Sequence, residues 1–188
     1  MFVRFVIVVA LVSMQKPNED NANGRNSLLI IHTIKKKRML MDTRPMQKYK
    51  IHEDKAIADI AIEAFGKDPN ELFENAAFAI FDLSANVETI NNQETKTIIL
   101  ENSKIEDLLF DFLSEIIYIK DTDSFIFKNS SVKIEEKNGK YFLEAKLSGE
   151  KIDRERHELK ADIKAITFHM FKIEKMENKW NAFFVVDV

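Results

Sequence analysis

From residue 46 onward, apolar and polar positions fall into short runs, each with its own period. "KYKIHE" and "IADIAIEAF" alternate in the manner of strands, as two short strands or one interrupted strand. In the second run Ile60 and Ile62 share one face, Ile57, Asp59, Ala61 and Glu63 share the other, and Gly66 closes it. "DPNELFENAAFAIFDLSA" changes to helical spacing, with Leu72, Phe73, Ala76, Ile80 and Leu83 on one stripe. Its start carries Asp68 as N-cap, Pro69 at the first helical position and Glu71 to complete a capping box. "ETKTIIL" reads as a strand. "SKIEDLLFDFLSEIIYI" reads as a second helix opening on a Ser103/Glu106 capping box, with Ile105, Leu108, Leu109, Phe112, Leu113 and Ile116 facing inward.

The remainder alternates with period two. "SFIFKNSSVKIEE" and "KYFLEAKLSGEKI" flank Asn138-Gly139, a two-residue hairpin signal, and "DIKAITFHMFKIEKM" and "KWNAFFVVDV" flank a turn around Glu177-Asn178. Two helices among about seven strands predict an α+β domain, a β-sheet or sandwich packed with the helix pair. On this reading His169 shares a strand face with Ile163, Ala165, Phe171 and Ile173 and is a core histidine, and Trp180 packs in the core.

Residues 1–45 show no such period. They open on an apolar stretch from Phe5 to Val12, too short to span a bilayer and similar to a signal-peptide core, but followed by Gln15, Lys16 and Pro17 in place of a small-residue cleavage site. A polar segment, "LLIIH" and the basic cluster "KKKRMLMDTRPM" follow. The expectation is a non-domain extension over 1–45, arising from an over-extended gene start with Met39, Met41 or Met46 as initiator, and one domain over 46–188.

Charge sharpens this division. Residues 1–45 hold eight Lys/Arg against three Asp/Glu; of the 28 and 31 in the whole chain, this leaves 20 against 28, a net charge of -8, in residues 46–188. Such a surface disfavours unaided nucleic-acid binding and favours a basic protein partner. Cysteine is absent, which excludes disulfides and thiolate chemistry and fits a reducing, cytoplasmic location. Four glycines leave no phosphate-cradling loop, the four histidines show no zinc-protease spacing, and Ser148-Gly149 lacks a nucleophile elbow.

Acids within apolar strands are the exception. Asp59 interrupts "AIADIAI", and Asp187 interrupts "FFVVDV" one residue before Val188. Such an aspartate either is solvated at a strand end or, if turned inward, needs a cation or several donors. If the first and last strands of the domain are neighbours, Asp59, Asp187 and the Val188 carboxylate converge as hard oxygen ligands suited to Mg²⁺, Mn²⁺ or Ca²⁺.

Across residues 47–188 the chain resembles the archease family, small proteins that assist the RtcB-type RNA ligase in tRNA splicing. The stretches that carry the resemblance are "ADIAIEAFGKDPNELFENAAFAIFDL", "LLFDFLSEIIYI" and "GEKIDRERHELKADIKAITFHMFKIEKMENKWNAFFVVDV". The family's leading His-Thr-Ala-Asp motif falls on Ala56, Ile57, Ala58 and Asp59, so the aspartate is present and the histidine and threonine are not. The resemblance implies a divalent-metal site formed by Asp59, Asp187 and the terminal carboxylate of Val188. It also implies a non-enzymatic activator that promotes guanylylation and turnover of the ligase, meets RNA only through it, and involves no membrane. His157-Glu158 and His169 match family positions, while Arg154, Arg156 and Lys160 form a small basic loop beside Gly149-Glu150 that is either solvated surface or a contact for RNA or ligase. Two other readings stay open: a stand-alone metal-dependent hydrolase with His157 as acid, and a metal-free protein-binding adaptor.

If the extension carries no core face, a chain beginning at Met46 melts at the same temperature as the full chain and stimulates a ligase equally. A loss of several degrees in a thermal melt means that "LLIIH" packs as a strand.

Overall fold

A computed structural model describes residues 47–52 and 59–188. The expectations for residues 1–45 and for Ala56, Ile57 and Ala58 lie outside the described residues. "KYKIHE" and "IADIAIEAF" become two strands, β1 (Tyr49–His52) and β2 (Asp59–Gly66). Then follow helix α1 (Pro69–Ser84), a 3-10 turn (Val87–Thr89), β3 (Glu94–Asn102), helix α2 (Ile105–Asp123), β4 (Phe125–Lys137), β5 (Lys140–Lys151), β6 (Ala165–Met176) and β7 (Lys179–Asp187). The strands form two antiparallel sheets, one in the order β1-β2-β7-β6 and one in the order β3-β5-β4.

Both helices touch strands of both sheets, so the α+β reading holds with the helix pair as the shared core layer. At the start of helix α1 Asp68 Oδ1 accepts the Glu71 N–H at 2.9 Å as an N-cap should, while Glu71 reaches past the cap to the Lys67 N–H at 2.7 Å instead of closing the box on Asp68. Its apolar stripe delivers Leu72, Phe73, Ala76 and Ile80 to the core, where α2 contributes Leu108, Leu109, Phe112, Leu113 and Ile116. Each strand supplies alternate residues: Leu143, Ala145 and Leu147 from β5, and Ala182, Phe184 and Val186 from β7. Asn138 (φ 53°) and Gly139 (φ 74°) turn β4 into β5 with Lys137 facing Lys140, as two consecutive positive-φ residues permit. Trp180 lies half-buried against the core.

Two details depart from the sequence pattern. Helix α2 does not open on a Ser103/Glu106 capping box: Lys104 occupies the cap and makes no side-chain cap bond. Asn102 Oδ1 instead accepts the N–H groups of Ser103 (2.7 Å) and Lys104 (3.4 Å), taking the Ser103 N–H that Glu106 would accept in a capping box. Strand β4 is an edge, and α1 covers it by hydrogen bonding: Glu74 Oε1 accepts the Val132 N–H at 2.9 Å and Asn70 Oδ1 the Ile134 N–H at 2.8 Å. These bonds blunt a row of donors that would otherwise recruit another strand. Among the described residues no helix is long and apolar enough to cross a membrane.

Phe112 is fully buried and stacks on Phe73 with ring centroids 5.9 Å apart, tying α2 to α1. Phe112→Ala is therefore expected to destabilise the domain by about 3–5 kcal/mol in urea unfolding. A change near zero would place the wrong face of α2 inward.

Candidate functional site

Strand β7 lies between β2 and β6, so the first long strand of the domain and its last are direct neighbours. The register sets Asp59 opposite Asp187 and Ala165 opposite Asp187 on the other side. Directly opposed residues project to the same face of an antiparallel sheet. The next pairs, Ile60, Val186 and Ile166, turn toward the helix-filled core, so the two aspartates occupy the face away from the helices. Asp59 is exposed at the start of β2, and Asp187 and Val188 are half-buried. The first and last long strands are thus neighbours, and their register sets the two aspartates opposite each other.

A cation already stands at the end of this row. Lys164, the residue before β6, donates its main-chain N–H to the Asp187 carbonyl at 2.9 Å and its Nζ to the main-chain oxygen of Val188 at 3.0 Å. On the same sheet face, Thr167 of β6 sits opposite Val185, and its Oγ1 is buried with no hydrogen-bond partner. A buried hydroxyl in that state lacks the partner that a water or a hydrated ion would give it. Oxygen donors and an unpaired hydroxyl fit a hard divalent cation rather than a soft one. The set is an open half-site, however: among the described residues no three His, Asp or Glu side chains form a cage.

A second cluster lies where β5 ends. Gly149 passes so close to β4 that an added Cβ would sit 1.9 Å from the Ile126 carbonyl oxygen, which leaves no room for a side chain. The next residue, Glu150, is buried, and its carboxylate is fully engaged. Arg156 grips both oxygens, Nη2 to Oε2 at 2.6 Å and Nη1 to Oε1 at 2.9 Å; His157 Nε2 lies 3.1 Å from Oε1, and the Asn91 N–H donates to Oε1 as well. The Arg156 hydrogen bonds, helped by those of Asn91 and His157, outweigh the cost of burial and hold the Glu150 carboxyl at about 2. The Asp153 N–H donates to His157 Nδ1 at 2.9 Å, which makes Nε2 the protonated nitrogen facing Glu150.

These contacts revise the reading of the basic loop. Arg156 is the counterion of Glu150, and Lys160 Nζ caps the end of α1 through the Asp82 carbonyl and carboxylate, both at 2.9 Å, while the Tyr49 hydroxyl donates to the same carboxylate. Arg154 stays exposed. Both nitrogens of buried His157 are occupied, so it has none left to act as the acid of a hydrolase.

His169 is not a core residue; it is exposed. A bulge between Thr167 and Lys172, with Met170 at φ 60°, shifts the β6 register, so Ile166 and Ile173 both point inward although they lie seven positions apart. His52 pairs with Glu63 at 3.2 Å, four residues along β2 from Asp59. Strict alternation misses the position of Lys164 for the same reason, because an unbroken register from the Met176–Lys179 turn would set Phe168, not Ala165, opposite Asp187.

Comparison with known proteins gives one consistent picture. The Archease protein family (MTH1598/TM1083) matches residues 49–188. Protein archease of Pyrococcus furiosus is 42% identical over 132 residues, covering 70% of this chain and 93% of the relative. Protein archease of Thermococcus kodakarensis is 36% identical over 144 residues, covering 76% of this chain and all of the relative. The solution structure of Methanobacterium thermoautotrophicum protein 1598 superposes with a TM-score of 0.66 at 30% identity, over 76% of this chain and all of that one.

The Glu150 network carries a definite pH dependence. Its folded value lies below the ordinary 4.5, so its contribution is fully present above about 4.5 and is lost as pH falls from there toward about 2. Arg156→Met is expected to cost about 3 kcal/mol at neutral pH by leaving a buried carboxylate without its main partner. In chemical unfolding between pH 7 and pH 2.5, the gap between variant and wild type should close below pH 4.5. A constant gap would assign the loss to packing.

Proposed function

The chain belongs to the archease family, and from that premise we propose that residues 46–188 act as a non-enzymatic activator of an RtcB-type RNA ligase, promoting its guanylylation and turnover in tRNA splicing through a divalent-ion site. The observation that carries the reading is the pairing of Asp59 with Asp187 next to Val188. The pairing sets Asp59, exposed, opposite Asp187, half-buried beside Val188, on the sheet face away from the helices.

The roles of the residues are simple. Asp59 and Asp187 bind, each fixed by the strand pairing rather than by a mobile loop, and Val188 supplies the third ligand. The open side of the half-site leaves coordination positions for water or for groups of the ligase. A divalent cation held there supplies positive charge that offsets triphosphate charge and orients a leaving group. RNA enters this scheme only through the ligase, as the net charge of the domain favours. A stand-alone hydrolase fits less well, because His157, its candidate acid, is engaged with Glu150 and Asp153.

Asp187→Ala is expected to abolish two properties together, divalent-ion affinity by calorimetry with Mn²⁺, Mg²⁺ and Ca²⁺, and stimulation of ligase guanylylation. Asp59→Ala behaves alike, and both variants keep the wild-type melting temperature within about 2 °C because the lost groups reach solvent. Stimulation that survives in both variants would leave a metal-free adaptor as the better description.

A further inference from the structure

Lys164 has no part in the scheme above, yet it touches the proposed site at two points. Its main chain is tied to Asp187 by the 2.9 Å N–H···O bond, and its ammonium lies 3.0 Å from the Val188 oxygen. It directly precedes Ala165, the β6 residue that faces Asp187. The nearby acid Asp162 is already served by another cation, Lys120 Nζ at 2.8 Å. The hydrogen bond of the Lys164 ammonium goes to the end of β7, while its charge also acts on Asp162.

We infer that Lys164 competes with a divalent ion for the Val188 oxygen at the Asp59–Asp187–Val188 site and so sets how readily that ion exchanges. The inference rests on the metal reading of this cluster. The physical reason is that the ammonium already uses the Val188 oxygen that would ligate the ion. To bind through that oxygen, an incoming cation either displaces the ammonium or tolerates it as a close like charge. Both routes weaken binding through that oxygen. The lysine stem is flexible while its backbone is pinned to Asp187, so the ammonium can leave and return without disturbing the β6–β7 pairing. An ion offered to a partner has to be released, and a tethered counter-charge favours release.

Calorimetry with Mn²⁺ on the full chain tests this, comparing wild type, Lys164→Met, Lys164→Arg and Asp187→Ala. Lys164→Met should bind Mn²⁺ about tenfold more tightly, the order expected when a unit charge is removed beside a divalent ion near the surface. Without metal the same variant should melt about 2 °C lower, because the end of β7 loses its hydrogen bond to the ammonium, and Mn²⁺ should restore the melting temperature. Lys164→Arg should stay close to wild type. A lysine needed only for folding would lose stability and affinity together, so opposite signs are the signature. Unchanged or weaker affinity in Lys164→Met, with Asp187→Ala silent, overturns the role of Lys164 while leaving the metal site standing. No Mn²⁺ binding in any of the four proteins overturns both.

Discussion

The pairing of β2 with β7 is the constraint on which the rest depends. It joins the start of the described domain to its end, and it is a register as much as a contact. Side chains alternate with period two, so a slip of one residue would send Ile60, Ile62, Phe184 and Val186 to the outer face and turn Asp59 and Asp187 into the core. Burial of the apolar set against the helices therefore fixes the positions of the acids. The stability of the core and the geometry of the site are one choice.

That choice is protected at both ends of the sheet. Strand β1 flanks β2, with His52 facing Ala61 and its ring bonded to Glu63, and β6 flanks β7 up to the bulge. The bulge is where the sheet stops obeying simple alternation, and it is also what brings Lys164 level with the end of β7. Extra twist at a bulge commonly re-aims a side chain. Here the re-aimed residues are Phe168, which stacks on Phe110 with centroids 3.7 Å apart, and Lys164, which meets Val188.

Most of the fold was legible because its signals are local. Asp68-Pro69 with Glu71, Asn138-Gly139 and the stripe from Ile105 to Ile116 each state their structure within a few residues, and each forms the element they indicate. The neighbourhood of Asp59 and Asp187 was legible only as a conditional, since strand order is not written in any window. The misses are non-local or competitive. His169 lies within a bulge that no turn residue announces, Asn102 takes the Ser103 N–H that Glu106 would accept in a capping box, and Glu150 looks like a surface acid until the loop that follows folds back over it. A glutamate next to a glycine and followed by Arg156 and His157 was the available signal, and only the chain reversal gives it meaning.

That loop links the buried ion network to the proposed site. Residues 152–164 run between β5 and β6 without regular structure, and a connection of that length holds a fixed path only if its polar groups are satisfied. The Glu150 carboxylate anchors its first half through Arg156 and His157. The main chain anchors the second half against the end of α1: Asn86 N–H to Glu158 O at 2.8 Å, and Lys160 N–H to Ser84 O and Ala161 N–H to Leu83 O, both at 2.9 Å. Lys164 emerges three residues later with its backbone already aligned to Asp187. A buried salt bridge of this kind adds little net stability over an apolar replacement, because desolvation consumes most of its Coulombic gain. What it supplies instead is a single path for the loop, and that path ends with an ammonium beside the last residue of β7. The buried acid thus reaches the outer face of the sheet through the course it imposes on the chain.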